Sequence, residues 1–197
     1  MNWLRNFFQK NKQASLIEVK LLDKNEHRAL PEIPDWLVAD CKNTQRALDS
    51  HEGSPFEKLK YVYEFLNKFG LFAKSFSVCS NHCSACCKND VQITTLEAKY
   101  IEKVSGKKAK NVRRPSNSHN SDCPFLKDNS CSIYETRPFN CRTLHTLDDP
   151  KYCSTHEHHQ LYGLQGGKGI PIVFQFKKYT EILNENRPVA DIRDFFS

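Results

Sequence analysis

Four cysteines fall within nine residues, in the run Cys79-Ser-Asn-His-Cys83-Ser-Ala-Cys86-Cys87. A second set follows at Cys123, Cys131, Cys141 and Cys153, so eight of the nine cysteines lie between residues 79 and 153. Isolated buried cysteines behave as small hydrophobes and have no reason to cluster. Clustered thiols read as ligands, and the fold around them must be arranged about whatever they hold. Adjacent Cys86 and Cys87 are poor disulfide partners, because a disulfide needs Cα atoms further apart than neighbours comfortably sit. An odd total of nine also argues against a fully paired framework.

The compartment bears on this reading. No apolar run reaches the roughly 18 residues of a membrane span, and Met1-Asn-Trp-Leu-Arg-Asn-Phe-Phe lacks the continuous apolar core of a secretory signal. The expected location is cytoplasmic, where thiols stay reduced and available to metals. The excess of 29 basic over 23 acidic residues is partly a counter-charge for eight thiolates, and weak evidence for nucleic acid. A length of 197 residues suits one domain. Residues 79–153 would form its metal-binding core, flanked by mainly helical segments 1–78 and 154–197.

Along the chain, Trp3, Leu4, Phe7 and Phe8 are spaced for a terminal helix, which docks on the core in preference to lying on a membrane surface. Ser15–Leu22 alternates loosely as a strand. Ile33, Leu37, Cys41, Thr44 and Leu48 form one helical face, which places Cys41 in the core and outside the ligand set. Ser54-Pro-Phe-Glu57 is a capping box with Pro at the first helical position, and Gly70 should end that helix. Val91–Ile93 reads as extended. Thr94-Thr-Leu-Glu97 caps a helix through Val104, closed by Gly106. Residues 107–122 read as an exposed loop; six basic residues between Lys103 and Arg114 lack the interleaved aromatics of a base-stacking surface. The Gly163–Gly169 segment is not a phosphate-binding loop. Pro171–Phe176 reads as a strand, with Lys177–Asn186 and Val189–Phe196 as closing helices. The fold class is α+β, mainly α-helical, with a small irregular cysteine-rich core and a few short strands.

Thiolates select zinc, iron–sulfur clusters or copper(I) over magnesium and calcium. Eight suit two four-thiolate sites, or one cluster with ligands to spare. Cys79-x3-Cys83-x2-Cys86 has the spacing by which radical S-adenosylmethionine enzymes hold a four-iron cluster. The adjacent Cys87 would close that cluster's open position, and the alternating strands and helices of such enzymes' barrel are absent. His82, His156, His158 and His159 are alternative ligands or proton shuttles, read here as surface residues; His156 and His159 would share a helix face.

Taken together, the two sets resemble the YkgJ-type cysteine-cluster family, a zinc- or iron-chelating domain with eight cysteines. The resemblance is carried by the tight Cys83-x2-Cys86-Cys87 run, by Cys123-Pro-Phe-Leu, and by Cys131-Ser-Ile-Tyr-Glu-Thr-Arg137-Pro138-Phe-Asn-Cys141-Arg142, with Cys153 as the last cysteine. Cys79 departs from it, standing three residues before Cys83 where the family has two. The resemblance implies metal chelation by Cys79, Cys83, Cys86, Cys87, Cys123, Cys131, Cys141 and Cys153. Arg137 and Arg142 flank Cys141, where they would donate to thiolate sulfur and tune the centre.

Two functions follow. One is a zinc- or iron-chelating module whose metal holds a loop-rich region together and serves binding or regulation of a protein partner or small substrate. The other is an iron–sulfur enzyme or redox protein, for example with methyltransferase-like activity, since a flagellin lysine methylase shares a similar domain. No catalytic carboxylate pair or cofactor fingerprint marks such an enzyme here.

Overall fold

The computed structural model describes residues 19–79, 83–116, 118–119, 121–155, 157–164 and 170–197. The expected terminal helix of residues 1–14, His82, His156 and the glycines of 165–169 lie outside the described residues.

Apolar spacing over residues 33–48 becomes helix α1 (Asp35–Ser50), which buries Leu37, Cys41 and Leu48 on one side. Cys41 is a core residue, and its Sγ lies 3.8 Å from the Ile172 carbonyl. Helix α2 (Pro55–Lys74) begins at the expected capping box, with Ser54 and Glu57 satisfying each other's backbone N–H groups. Gly70 does not end it. The helix runs a further turn because Phe69 and Ala73 are fully buried and Phe76 packs edge-on against Tyr162. Burying such an aromatic is worth about 1.5–3 kcal/mol, more than the roughly 1 kcal/mol a helical glycine costs. A 3-10 turn (Ala85–Lys88) carries Cys86 and Cys87 and leads to β1 (Gln92–Thr94) and helix α3 (Thr95–Ser105). Thr94 and Glu97 form the second capping box, and Gly106 closes the helix in the left-handed region at φ 74°.

Strands β2 (Leu126–Lys127) and β3 (Ser130–Cys131) form a minimal hairpin, turned by Asp128 and Asn129 at positive φ. After a 3-10 turn (Tyr134–Thr136) comes the single-turn helix α4 (Phe139–Arg142). Strand β4 (Leu144–Thr146) follows, then a 3-10 turn (Pro150–Ser154), and β5 (Leu161–Gly163) pairs antiparallel with β4.

The expected strand at Pro171–Phe176 is instead the start of helix α5 (Ile170–Leu183). Proline is tolerated in a first helical turn, and Val173, Phe176 and Thr180 are all buried at helical spacing. The expected helix from Val189 divides into β6 (Val189–Asp191), paired antiparallel with β1, and helix α6 (Ile192–Phe196), capped by Asp191. Residues 19–22, the described part of the expected first strand, form no strand. The basic loop is not simply exposed. Val112 is buried, Lys110 N–H donates to the Phe195 carbonyl, and Ser116 N–H donates to Asp194.

The described residues make a mainly helical α+β structure with three two-stranded sheets. One core unites α1, α2 and α5 with Phe139, Leu147 and Tyr162. A second gathers Ile93, Ile101, Phe125, Ile133 and the α6 aromatics Phe195 and Phe196. Among the described residues no helix is long and apolar enough to cross a membrane.

Glu97, 1% exposed, couples three elements. Its carboxylate accepts from the Tyr63 hydroxyl of α2, the Phe139 N–H of α4, and both the N–H and hydroxyl of Thr94. Glu97→Ala leaves several buried donors unpaired at about 1–3 kcal/mol each. A fall in Tm on the order of 10 °C is expected by calorimetry, against a much smaller fall for Tyr63→Phe. Gly163 has φ 107°, and a Cβ there would stand 1.9 Å from the Thr143 carbonyl oxygen. Gly163→Ala should therefore lower Tm clearly more than Gly106→Ala, whose Cβ meets open space.

Candidate metal centre

Local backbone devices place every clustered cysteine except Cys83. Beyond α2, Val78 N–H donates to the Thr146 carbonyl and Thr146 N–H donates to Cys79 Sγ at 3.2 Å, which seats Cys79 on β4. The 3-10 turn of residues 85–88 presents Cys86 and Cys87 together. The Cys87 carbonyl accepts from Cys123 N–H at 2.9 Å and from Arg193 Nη2 at 3.0 Å. Asn89 Nδ2 donates to the Cys153 carbonyl, joining this turn to residues 150–154. Cys131 rides on the β2–β3 hairpin. Cys141 lies in α4, whose first N–H is held by Glu97.

All eight clustered cysteines line two adjoining cavities. The larger, about 80 Å³, is lined by Cys79, Cys83, Cys86, Cys87, Cys131, Cys141 and Cys153. The smaller, about 60 Å³, is lined by Cys86, Cys87, Cys123, Cys131 and Cys141. Cys86, Cys87, Cys131 and Cys141 thus border both. One water-sized atom needs about 10–15 Å³, so each hollow takes several. Among the described residues no three His, Cys, Asp or Glu side chains converge as the ligands of a single ion. The thiols line walls instead.

Burial dominates the electrostatics of the thiols. Burial pushes Cys79 up to about 11 and Cys153 up to about 12. It also raises Cys123, Cys131 and Cys141, the last strongly. A hydrogen bond from Cys87 holds Cys86 down at about 7, and the same bond raises Cys87. The adjacent pair therefore shares a proton, with Cys86 as the thiolate. Arg137 lines both cavities, its guanidinium 3.9 Å above the Tyr134 ring, and its Nε is buried without a hydrogen-bond partner. A thiolate donor set with an unspent buried donor beside it fits a soft or borderline metal.

Arg142 does not share that position. Its guanidinium donates to the carbonyls of Arg137 and Glu135 and to Asn67 Oδ1, and lies 4.2 Å from the Tyr63 ring centroid. With its nitrogens taken by oxygen, it fixes the segment carrying Cys141 onto α2. His158 is exposed, and His159 pairs with buried Asp148 at 2.9 Å. Residues 157–160 are not helical, so the expected shared helix face is absent.

His145 was not legible as a site residue. It is 4% exposed, lines the larger cavity, and its Nε2 has no hydrogen-bond partner. Burial lowers it to about 4, so the ring is neutral. The available signal was a histidine inside a short strand four residues after Cys141.

No curated protein and no solved structure significantly matches the chain. Residues 78–162, which contain every cysteine of the cluster, match the model of the CxxCxxCC family, "Putative zinc- or iron-chelating domain", as the resemblance in cysteine spacing implies.

Proposed function

We propose that the protein chelates zinc or iron through Cys79, Cys83, Cys86, Cys87, Cys123, Cys131, Cys141 and Cys153, as a metal-stabilised binding or regulatory module. The observation that carries this reading is the convergence of all eight on two adjoining cavities that have four thiols in common. The description of the matching family points the same way. When bound, the metal would supply cross-links among the separate segments that carry the cysteines. Arg137 would offset thiolate charge and donate toward sulfur, while Glu97, Arg142 and Arg193 hold the ligand-bearing segments in place.

A second reading, an iron–sulfur enzyme or redox protein acting on a small substrate, is favoured by one feature. An open groove of about 660 Å³ runs past Lys107, Phe125 and Lys127 and shares Cys131, Ile133 and Tyr134 with the walls of the cysteine cavities. That groove would bring a substrate to the edge of the centre.

Metal and sulfide analysis of anaerobically purified protein separates the two. The first reading expects colourless protein with about two zinc ions per chain, four thiolates each, or iron without sulfide. The second expects brown protein with acid-labile sulfide. Protein with neither metal nor sulfide refutes both. Cys86→Ser and Cys87→Ser should each lose most of the metal, whereas Cys41→Ser, in the helical core, should retain it. Stripping the metal with a chelator should lower Tm, since structural metal binding is folding free energy.

A further inference from the structure

His145 presents a donor that neither the eight-thiol reading nor the family description includes. It is the central residue of β4, opposite Tyr162 across the β4–β5 ladder. Its ring lies 5.9 Å from Phe69 and beside Gly70, where a Cβ would come no closer than 3.9 Å to Cε1. Its Nε2 is buried and has no hydrogen-bond partner. Leaving a buried nitrogen unpaired is destabilising, and an apolar side chain in the same place would avoid it. The residue also lines the larger cavity with seven of the thiols.

A metal-ligating histidine turns one ring nitrogen to the metal, and a buried nitrogen without another partner on a thiol-lined cavity is placed for that role. We infer that His145 is a ninth donor of the centre, ligating the bound metal through Nε2, and that the larger cavity therefore takes zinc or iron in a mixed imidazole–thiolate shell. This rests on the reading of the cysteine cavities as a metal centre. Mixed shells of this kind suit zinc and iron.

X-ray absorption at the zinc edge of anaerobic, zinc-loaded full-length protein tests this. Wild type should show an imidazole nitrogen at about 2.0–2.1 Å beside sulfur at about 2.3 Å. That nitrogen should disappear in His145→Phe and remain in His158→Ala, whose target is exposed. Zinc retention against a competing chelator should fall about tenfold or more in His145→Phe. Metal-free His145→Phe should be at least as stable as metal-free wild type, because the orphaned nitrogen is gone. If that variant does not fold, His145→Gln, which keeps a polar side chain of similar reach, should lose the imidazole signature. An all-sulfur shell in zinc-bearing wild type, or an imidazole that persists in the His145 variants, overturns the inference and leaves the thiol centre standing. Wild type that takes up no zinc or iron removes both.

Discussion

The interaction on which the cysteine region depends is the buried guanidinium of Arg193. It is 2% exposed and donates to the carbonyls of Cys87, Asn89 and Ser121 while paired with Asp191 at 3.0 Å. Three carbonyls from two separate loops converge on one planar cation, which can satisfy them together because its donors are fixed in a fork. The turn bearing Cys86 and Cys87 has no buried apolar residue of its own. Beside the Cys123 N–H and the Asn89 side chain, Arg193 is what fixes its position. Asp191 in turn accepts from Val91 N–H and caps α6, so the same carboxylate orients the cation, starts a helix and closes the β1–β6 pair.

The same logic recurs on the other side of the centre. Arg142 is held by two carbonyls and Asn67, and Glu97 gathers donors from α2, α4 and its own cap. Both belong to the interface between the helical core and the cysteine segments. The centre therefore sits where two apolar cores meet and is positioned by polar side chains that neither core could place alone. Buried ions of this kind are costly unless every donor and acceptor is matched. Their matching makes the arrangement specific to one register of each loop.

What was readable in the sequence was local. The capping boxes at Ser54 and Thr94, the left-handed terminator Gly106, the apolar face with Cys41 and the clustered thiols all announce themselves within a few residues. What was not readable depends on partners far along the chain. Pro171–Phe176 is rich in branched residues and short enough to read as strand, and only the α2 surface it packs against makes it helix. Gly70 reads as a stop because its local cost is visible while the aromatic packing that outweighs it is not. Val189–Asp191 becomes a strand by pairing with residues about a hundred positions earlier. Arg142 looks like a partner of the neighbouring Cys141, yet its acceptors are backbone carbonyls and an asparagine on α2. His145 was hidden among louder histidines at 156–159.

The bond from Arg193 to Cys87 spans 106 residues of sequence, and this separation acts in time as well as in space. At a synthesis rate of about 5–20 residues per second, the first four thiols leave the ribosome roughly 5–20 s before the cation that shapes their loop. During that interval their loop lacks the cation that positions it. Assembly of the proposed centre would thus await the end of the chain's synthesis. A metal that captures the early thiols first would meet a loop whose final geometry has not yet been set.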